Sequence, residues 1–443
     1  MIGHFITRLL PQRFKKAPRI YRAAQHTIRA DAIDEAALSV VRRLHSAGFQ
    51  AFIVGGAVRD LMLGRRPKDF DIATDATPEE TKPLFRRAFI IGRRFRLVHV
   101  HVSHDVIEVS TFRSAQTDED ATDEHGRLLS DNVYGTQAED ALRRDFTINA
   151  LYFDPETEEI WDYVGGVNDV RARRLKLIGS PTTRYREDPV RMLRAVRLAS
   201  KLGLTLAPTS EAPLTKLAAL MRNIPPARLF EETQKLLLSG NASETVAQVR
   251  RYQLLPSFDA LLSTPIAERF ADLALAHTDA RLKIGKTVSP AYLFAALLWP
   301  TVTRERDAHI EAGMKPAPAF ITAMDTALEE HAKMLAVPRR FQGIIREIWG
   351  LQPRFEQRQG QRPYRLLEQP RFRAAYDFLC LRTENREMPR ELSVWWEKFQ
   401  EADMDARKEM LAAAPKPATG SGSRPRRRRK KHSHAKTTAA SAE

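Results

Sequence analysis

One stretch constrains the fold more than any other: an apolar run at residues 50–54 stops at Gly55-Gly56, and residues 57–63 then read as helix. A strand that leads into a glycine turn and then a helix start leaves backbone N–H groups available to hold an anion, such as a polyphosphate. A tight turn without function is the alternative for this piece alone.

Two carboxylates, Asp69 and Asp71, follow this turn with Phe70 between them. Residues i and i+2 of a strand point to the same side, so both acids are predicted to face one cleft with Phe70 buried behind them. Crowded carboxylates repel each other unless a cation lies between them, and Mg²⁺ bound by carboxylates and substrate phosphates meets that need. Together, the turn and the acids predict phosphate chemistry.

These residues form one spaced motif, Gly55-Gly56-x-x-Arg59-Asp60 followed by Asp69-x-Asp71. The motif resembles the nucleotidyltransferase superfamily, in the branch shared by bacterial poly(A) polymerases and tRNA CCA-adding enzymes. It is neither a Walker A loop nor a Rossmann fingerprint. The resemblance implies an α/β nucleotidyltransferase head with a small mixed sheet, followed by an all-α neck, body and RNA-binding region.

Residues 105–113 alternate as a half-buried strand, with Ile107 and Val109 towards the core and Glu108 and Ser110 opposite. Glu108 is therefore a candidate third carboxylate, and a solvated strand glutamate is the alternative. In the family, an acid on the neighbouring strand completes the metal site, so the resemblance favours a role for Glu108.

Arg143-Arg144-Asp145 and the nearby Asn149 resemble the second motif of the same family. Paired arginines can clamp a triphosphate and neutralise the charge that builds on the leaving pyrophosphate. Asp145 also suits a helix N-cap, which is compatible with an anchoring role. We expect Asp145 in the site, with its role as metal partner or as anchor of a sugar and an arginine left open.

Residues 186–197 begin a helix on which Asp188, Arg191 and Arg194 recur every three positions, with Arg197 next in phase. In tRNA-adding relatives an Asp and an Arg at the first two places mimic the Watson–Crick partner of a base. Asp188 can accept from an exocyclic amine, and Arg191 can donate to the adjacent ring nitrogen. Adenine and cytosine fit this pair, whereas guanine and uracil would leave buried groups unpaired at about 1–3 kcal/mol each. A solvated helix face is the alternative.

The expected site consists of a catalytic set and an ATP-binding set of residues, and the resemblance implies ATP as substrate and two Mg²⁺ ions. The catalytic residues are Asp69, Asp71, Glu108 and Asp145, and the first three are the metal ligands. The ATP-binding residues are Gly55, Gly56, Arg59, Asp60, Arg143, Arg144, Asn149, Asp188, Arg191, Arg194 and Arg197.

The formal charge of +16 lies mostly at the two ends of the chain. Residues 1–30 contain seven Lys/Arg and no acid, and residues 416–443 contain nine Lys/Arg and one Glu. The Arg-rich end, set in Gly, Ser and Ala, is predicted to be disordered and to contact nucleic acid or another anionic surface. A solubilising tail is the alternative.

The single cysteine, Cys380, excludes an intramolecular disulfide and a Cys-rich zinc site, and fits a reducing cytoplasm. No apolar run reaches the roughly 18 residues of a membrane span, and a peripheral membrane contact is left open. His99 and His101 share a strand face without a Cys or Glu at zinc-ligand spacing, so phosphates or RNA are their expected neighbours.

Periodicity predicts helices at 33–47 and 78–87, strands at 50–54, 69–73, 95–103 and 105–112, and mostly helix from about residue 187. Residues 114–130 are acidic and aperiodic and are predicted to form a mobile loop.

We therefore expect five regions along the chain. They are a basic flexible leader at 1–30, the catalytic head at 31–180, a helical neck at 181–255, a helical body with an arginine-rich RNA-binding region at 256–405, and a disordered basic tail at 406–443.

Three segments favour the poly(A) polymerase side of the family: residues 90–100, residues 223–232, and residues 339–373, where arginines alternate with aromatics as suits single-stranded RNA. Helical packing is the alternative for the last segment. The resemblance implies AMP transfer to RNA 3′ ends, on mRNA and small RNAs, by a monomer that works beside RNA-decay proteins. A CCA-adding enzyme and a non-catalytic RNA-binding adaptor are the alternative functions.

Overall fold

The computed structural model describes residues 17–92, 96–114, 133–255, 265–335 and 337–414. The chain divides into two compact units, Met1–Trp349 and Gly350–Glu443. The predicted loop at 114–130 falls outside the described residues from position 115 onward, and so does the basic end from position 415.

The head of the first unit is built on a mixed sheet with the strand order β1-β8-β7-β2-β3-β6-β5-β4. Within it β3 and β6 run parallel, and the other neighbouring pairs run antiparallel. A short parallel pair, β9 and β10, lies apart from this sheet. The strands are β1 Arg19–Tyr21, β2 Ala51–Val54, β3 Asp71–Thr74, β4 Ala88–Ile91, β5 Leu97–Val102, β6 Asp105–Thr111, β7 Leu151–Asp154, β8 Glu159–Asp162, β9 Arg174–Leu175 and β10 Thr205–Leu206.

Helices flank the sheet and make up most of the chain after it. They are α1 Glu35–Ser46, α2 Gly56–Met62, α3 Pro78–Thr81, α4 Gln137–Arg143, α5 Gly166–Arg171, α6 Pro181–Glu187, α7 Val190–Leu202, α8 Pro208–Glu211, α9 Leu214–Leu217, α10 Pro226–Leu237, α11 Ala242–Arg251, α12 Pro265–Lys283, α13 Pro290–Glu311, α14 Pro316–Leu335, α15 Arg339–Leu351, α16 Arg362–Leu367, α17 Phe372–Glu384, α18 Arg390–Glu401 and α19 Met404–Ala413. None of those described is long and apolar enough to cross a membrane.

The core of the head forms where the central strand β2 is covered on both faces. All four residues of β2 are buried, as expected for an apolar strand without alternation. One face packs on Phe112 and Tyr152, which surround Phe52 in one aromatic cluster. Helix α1 contacts β2, β3 and β6 with the apolar side of its predicted amphipathic pattern. The predicted α/β head followed by a helical body is confirmed.

Two element boundaries differ from the sequence prediction. The helix expected at 78–87 ends after α3 and continues only as a 3₁₀ turn, Lys82–Leu84, because Pro83 cannot donate the backbone hydrogen bond of a longer helix. Its predicted start is confirmed by a capping box between Thr77 and Glu80. The strand expected at 69–73 begins at Asp71.

The predicted leader and tail are both too long. Residues 19–21 form β1, paired with β8 at the edge of the sheet, and only 2% of the surface of Tyr21 is exposed. The guanidinium carbons of Arg19 and Arg171 lie 4.9 and 5.5 Å from the centroid of the Tyr21 ring. The segment is therefore ordered by packing, which sequence periodicity does not reveal. At the other end α19 is helical over 404–413, and the Asp403 side chain caps it by accepting from two backbone N–H groups.

Three aromatic residues of the arginine-rich segment, Trp349, Phe355 and Phe372, are buried inside their own units, so base stacking is the wrong interpretation for these three. Trp349 is buried in the first unit and donates to the Ala295 carbonyl at 3.0 Å. In the second unit Phe355, Phe372 and Trp396 form the centre of a buried cluster, with ring centroids 5.2–5.9 Å apart. Helical packing, the alternative for this segment, explains the burial of Trp349, Phe355 and Phe372.

Candidate active site

An open cleft of about 720 Å³ lies in the first unit, between the head sheet and the helices α7 and α10. Its lining brings together most of the predicted ATP-binding residues with the two spaced aspartates. The lining residues are Gly55, Gly56, Arg59, Asp69, Asp71, Arg144, Asp145, Asn149, Asp188, Val190, Arg191, Arg194, Arg197, Leu198, Lys201, Arg228, Glu232 and Lys235.

The glycine turn takes the chain from β2 into the cleft. Gly55 is the N-cap residue of α2, and its φ of 70° is a backbone conformation that residues with a side chain rarely adopt. A Cβ atom at Gly55 would also lie 3.4 Å from Nη1 of Arg144. The positive φ therefore favours glycine at this position, Arg144 packs directly against it, and the start of α2 opens onto the cleft.

The two spaced aspartates both line the cleft, although only one belongs to a strand. Asp71 begins β3 and Asp69 precedes the strand by two residues, so Phe70 between them is half-buried rather than fully buried as predicted. Desolvation by the surrounding protein, followed by the negative charges of Glu108 and Asp69, raises the pKa of Asp71 to about 6 against the opposing effect of Arg144. A cation held here would relieve that repulsion.

Glu108 lies beside Asp71 but outside the lining of the cleft. Parallel pairing of Ile72 with Val109 aligns the two preceding residues, Asp71 and Glu108, on neighbouring strands. Glu108 is exposed, and its Oε1 lies 3.3 Å from Nε2 of His99. Among the described residues no three His, Cys, Asp or Glu side chains are grouped closely enough to hold a metal.

The donor set therefore fits a magnesium ion with two protein carboxylates. Mg²⁺ is commonly bound by one or two carboxylates together with substrate phosphates, and it retains several waters. Asp69 and Asp71 meet that requirement, and a bound cation would offset the desolvation and the neighbouring negative charges that raise the pKa of Asp71. A place for Glu108 as third ligand stays a prediction.

Arg59 is buried at the floor of the cleft and is fixed by two neighbours. Its Nη1 donates to Oδ1 of Asn149 at 2.7 Å, and its Nε donates to Oδ1 of Asp60 at 2.8 Å. Asp60 lies outside the cleft lining, so it supports Arg59 from behind. Arg59 thus places a positive charge in the cleft, and the adjacent Asp60 supplies its counter-ion from outside the lining.

The paired arginines diverge rather than acting as one clamp. Arg144 lines the cleft, donates to Asp140 and to the Tyr152 hydroxyl, and is held at 3.3 Å from the Asn149 carbonyl. Arg143 is outside the lining and donates to the Ser114 carbonyl at 3.3 Å. Burial, followed by the positive charges of Arg113, Arg184 and other nearby arginines, lowers the pKa of Arg143 to about 10.

Asp145 joins the head to the helix that carries the predicted base-reading residues. Its Oδ1 accepts from the Phe146 backbone and from Asn149 at 2.7 and 3.0 Å, and its Oδ2 accepts from Nε of Arg194 at 3.0 Å. Burial opposes its ionisation, but the Arg194 charge and these hydrogen bonds lower the pKa of Asp145 to about 2. Asp145 is therefore ionised, and it anchors an arginine.

Asp188 lies between α6 and α7, two residues before α7 begins, rather than on the helix as predicted. Arg191 lies in the first turn of α7, where the cleft approaches α10. Oδ2 of Asp188 accepts from Nη2 of Arg228 at 2.8 Å and lies 3.9 Å from Nε of Arg191. Its other oxygen, Oδ1, is buried without a hydrogen-bond partner among the described residues. Nη1 of Arg191 donates to Glu187 at 3.2 Å. A buried acceptor without a donor is costly unless a bound group supplies one.

Sequence reasoning missed six lining residues; four of these are charged, and three of the charged ones lie on α10. Arg228, Glu232 and Lys235 face the cleft from this helix, and Lys201 ends the charged side of α7. Glu232 is buried and lies 3.7 Å from Arg197 and 3.1 Å from Lys235. The spacing 228-232-235 places one charged face on an amphipathic helix, and that was the available signal.

Comparison with sequence profiles first defines the class. The head matches the "Poly A polymerase head domain" over residues 51–176, and later segments match the "Probable RNA and SrmB-binding site of polymerase A" over 203–261 and the "Polymerase A arginine-rich C-terminus" over 312–433. Fold and site are those of a nucleotidyltransferase that binds RNA, and the family uses ATP and a divalent metal.

Similar proteins then define the family. The chain is 45% identical over 404 residues to "Poly(A) polymerase I" of Salmonella typhi, which covers 87% of each chain. It is 39% identical to a CCA-adding enzyme of Bacillus subtilis over only 50% of this chain and 55% of the relative. The crystal structure of the Bacillus stearothermophilus CCA-adding enzyme with CTP matches with a TM-score of 0.58 and 26% identity, over 83% of this chain and 81% of that one. The chain belongs to the poly(A) polymerase I family, and its activity is that of a polynucleotide adenylyltransferase.

Proposed function

We propose that the cleft transfers AMP from ATP to the 3′-hydroxyl of RNA without a template and releases pyrophosphate. The observation that carries this assignment is the buried Oδ1 of Asp188, which has no hydrogen-bond partner in the part of the chain that the structure describes. It lies beside Arg191, in the same cleft as Asp69 and Asp71. One end of the cleft thus supplies a base-sized acceptor and donor pair, and the other supplies carboxylates for phosphoryl chemistry.

The glycine turn Gly55-Gly56, with Arg59 and Arg144, would hold the triphosphate; the Gly55 N–H donates to the Leu151 carbonyl at 3.3 Å, so the donors come from Gly56 onward. The start of α2 offers N–H groups, and the two guanidiniums are fixed in place by Asn149, Asp140 and Tyr152. Because they are already ordered, they stabilise charge on the leaving pyrophosphate with little reorganisation. Arg143, which lies outside the cleft lining, would support the position of Arg144.

Asp69 and Asp71 would hold Mg²⁺, which when bound activates the RNA hydroxyl and neutralises the phosphates. The two carboxylates fix where the reacting groups meet. Asp145 keeps Arg194 and α7 in register with the head, which sets the distance between base and phosphates. We propose Glu108 as a further acid beside this pair, and two ions as the full complement.

Asp188 and Arg191 would read the base. Asp188 accepts from the amine of adenine through Oδ1, and Arg191 donates to the ring nitrogen next to it. Arg228 orients the carboxylate from the other side at 2.8 Å. Incubating the protein with RNA, Mg²⁺ and each nucleotide singly tests the assignment; CTP incorporation equal to that of ATP would refute it in favour of CCA addition.

We further propose the working context and the division of the chain. The head at 31–180 performs the chemistry, the neck at 181–255 selects the base, and the body and tail contact the RNA. The substrates are mRNA and small RNA 3′ ends in the cytoplasm, the enzyme is a monomer, and RNA-decay proteins and a peripheral membrane contact are its candidate associations. The RNA-binding profile at 203–261 supports RNA as the substrate in this context.

In the presence of a non-reactive ATP analogue, saturating Mg²⁺ is expected to raise the melting temperature of the wild type by about 1 to 3 °C. Asp71→Ala should abolish that increment, because the variant lacks one carboxylate of the pair. Without Mg²⁺ the variant should be at least as stable as the wild type, since removing Asp71 relieves repulsion with Glu108 and Asp69. An equal Mg²⁺ increment in both proteins would refute the metal assignment.

Deleting residues 416–443 is expected to weaken RNA binding and to make it less sensitive to salt. The segment holds nine Lys/Arg and one Glu but none of the described residues that line the cleft. The slope of log K against log salt becomes shallower as fewer phosphates are neutralised by Lys and Arg. Turnover at saturating RNA should stay near normal. Binding measured between 50 and 200 mM salt decides it, and an unchanged slope would show that this segment does not contact RNA.

A further inference from the structure

One row of side chains crosses four strands of the head sheet, starting at Asp71. Asp71 aligns with Glu108 on β6, Glu108 pairs with His99 on β5, and His99 pairs with Phe89 on β4. Residues aligned across neighbouring strands point to the same face of a sheet. The row therefore runs from the cleft to the outer edge of the sheet on one face.

Side chains on this face of the sheet are exposed, and they include large apolar ones. On β6 the side chains alternate, with Ile107 and Val109 buried and Val106 and Glu108 exposed. Phe89 is 55% exposed and Val106 is 45% exposed. Large exposed apolar side chains grouped on one sheet face are typical of a binding surface.

Aromatic and basic groups are combined at the outer end of the row. The His101 ring lies edge-on to Phe89, with centroids 5.5 Å apart. The exposed residues Arg86 and Arg87 immediately precede β4, and the Arg87 carbonyl accepts from the His101 backbone at 2.9 Å. Aromatic rings beside arginines suit single-stranded nucleic acid, in which bases stack and phosphates need cations.

We propose that the last nucleotides of the RNA lie along this row, with one base stacked on Phe89. The proposal rests on the proposed function, because the row must deliver a 3′-hydroxyl to Asp69 and Asp71. Three strand spacings of about 4.8 Å give a row of about 14 Å, a length that a few nucleotides of single-stranded RNA can span. Phe89 then meets a base about three or four positions from the 3′ end.

The proposal makes the effect of Phe89 depend on primer length. Oligoadenylates of two to ten nucleotides are extended with saturating ATP, and KM for RNA is measured for each length. In the wild type KM should fall once the primer reaches about three or four nucleotides, because only then can a base lie on Phe89. Phe89→Ala should lose most of that fall, about five- to tenfold for the longer primers, because the variant cannot stack one base. Phe89→Trp should restore it.

Two controls separate the proposal from simpler effects. Ile321→Ala removes an apolar side chain that is 54% exposed on α14, and it should leave the length dependence intact. 2-Aminopurine placed at each of the last six positions should change fluorescence in Phe89→Ala, relative to the wild type, only near the third or fourth position.

A length dependence shared by Phe89→Ala and the wild type would overturn the proposal and identify the face as a protein-docking surface instead. That failure differs from a failure of the proposed function. In the second case Asp71→Ala would keep extending primers of every length.

Discussion

Asp71→Ala is expected to lower AMP transfer by about a thousandfold or more, with RNA affinity largely retained. A thousandfold loss corresponds to about 4 kcal/mol of transition-state stabilisation, which is the scale of a lost metal-ion contribution. The arginines that bind phosphate are tied to other partners, Arg59 to Asn149 and Arg144 to Asp140, so they keep their places. Asp69→Ala should behave in the same way.

The measurement is single-turnover extension of a labelled RNA with ATP, with binding of the same RNA measured separately. Asp31→Ala is a matched control, since Asp31 is exposed and outside the cleft. If either cleft variant keeps more than a few per cent of the wild-type rate, Asp69 and Asp71 are not the metal ligands.

Asp188→Ala is expected to lower kcat/KM for ATP by about 10- to 150-fold and to relax discrimination against UTP. The variant loses the acceptor for the adenine amine, and a hydrogen bond to a charged group contributes about 1.5–3 kcal/mol. Arg191 remains able to donate to a carbonyl oxygen, which uracil offers. CTP presents the same amine and acceptor as ATP, so the wild type should reject it less strongly than it rejects GTP or UTP.

Arg228 distinguishes base reading from a general loss of structure. Arg228→Ala keeps the Asp188 carboxylate but frees Oδ2 from its 2.8 Å hydrogen bond, so selectivity should fall in the same direction by a smaller factor. Arg222→Ala changes an exposed arginine before the same helix and should leave selectivity intact. An undiminished ATP preference in Asp188→Ala would place base selection elsewhere.

The parts of the site predictable from sequence are those set by local backbone geometry. A glycine turn between strand and helix, and two acids one residue apart, take their arrangement from neighbours in the chain. Both therefore appeared in the cleft, although Asp69 lies just before the strand. The same locality explains why the alternation of residues 105–111 was confirmed, with Glu108 exposed and Ile107 buried.

Features that depend on packing between distant segments were missed. Arg228 meets Asp188 across forty residues of chain, and only the packing of α10 against α7 brings them together. Strand β1 has three residues and no periodic pattern, so pairing with β8 defines it. In the segment 339–373, composition alone is compatible with both RNA binding and core formation. Only the burial of Phe355 and Phe372 in the structure assigns these two side chains to the core.

The hydrogen bond between Arg228 and Asp188 makes accuracy and speed depend on different parts of the molecule. The residues proposed for the chemistry lie at the sheet, whereas the orientation of the base-reading carboxylate depends on a helix from a later segment. Warming or a mutation that loosens α10 would thus yield an enzyme that still extends RNA but adds mixed nucleotides. Mixed nucleotides in the added sequence would then report loosening of α10 while extension continues at a reduced rate.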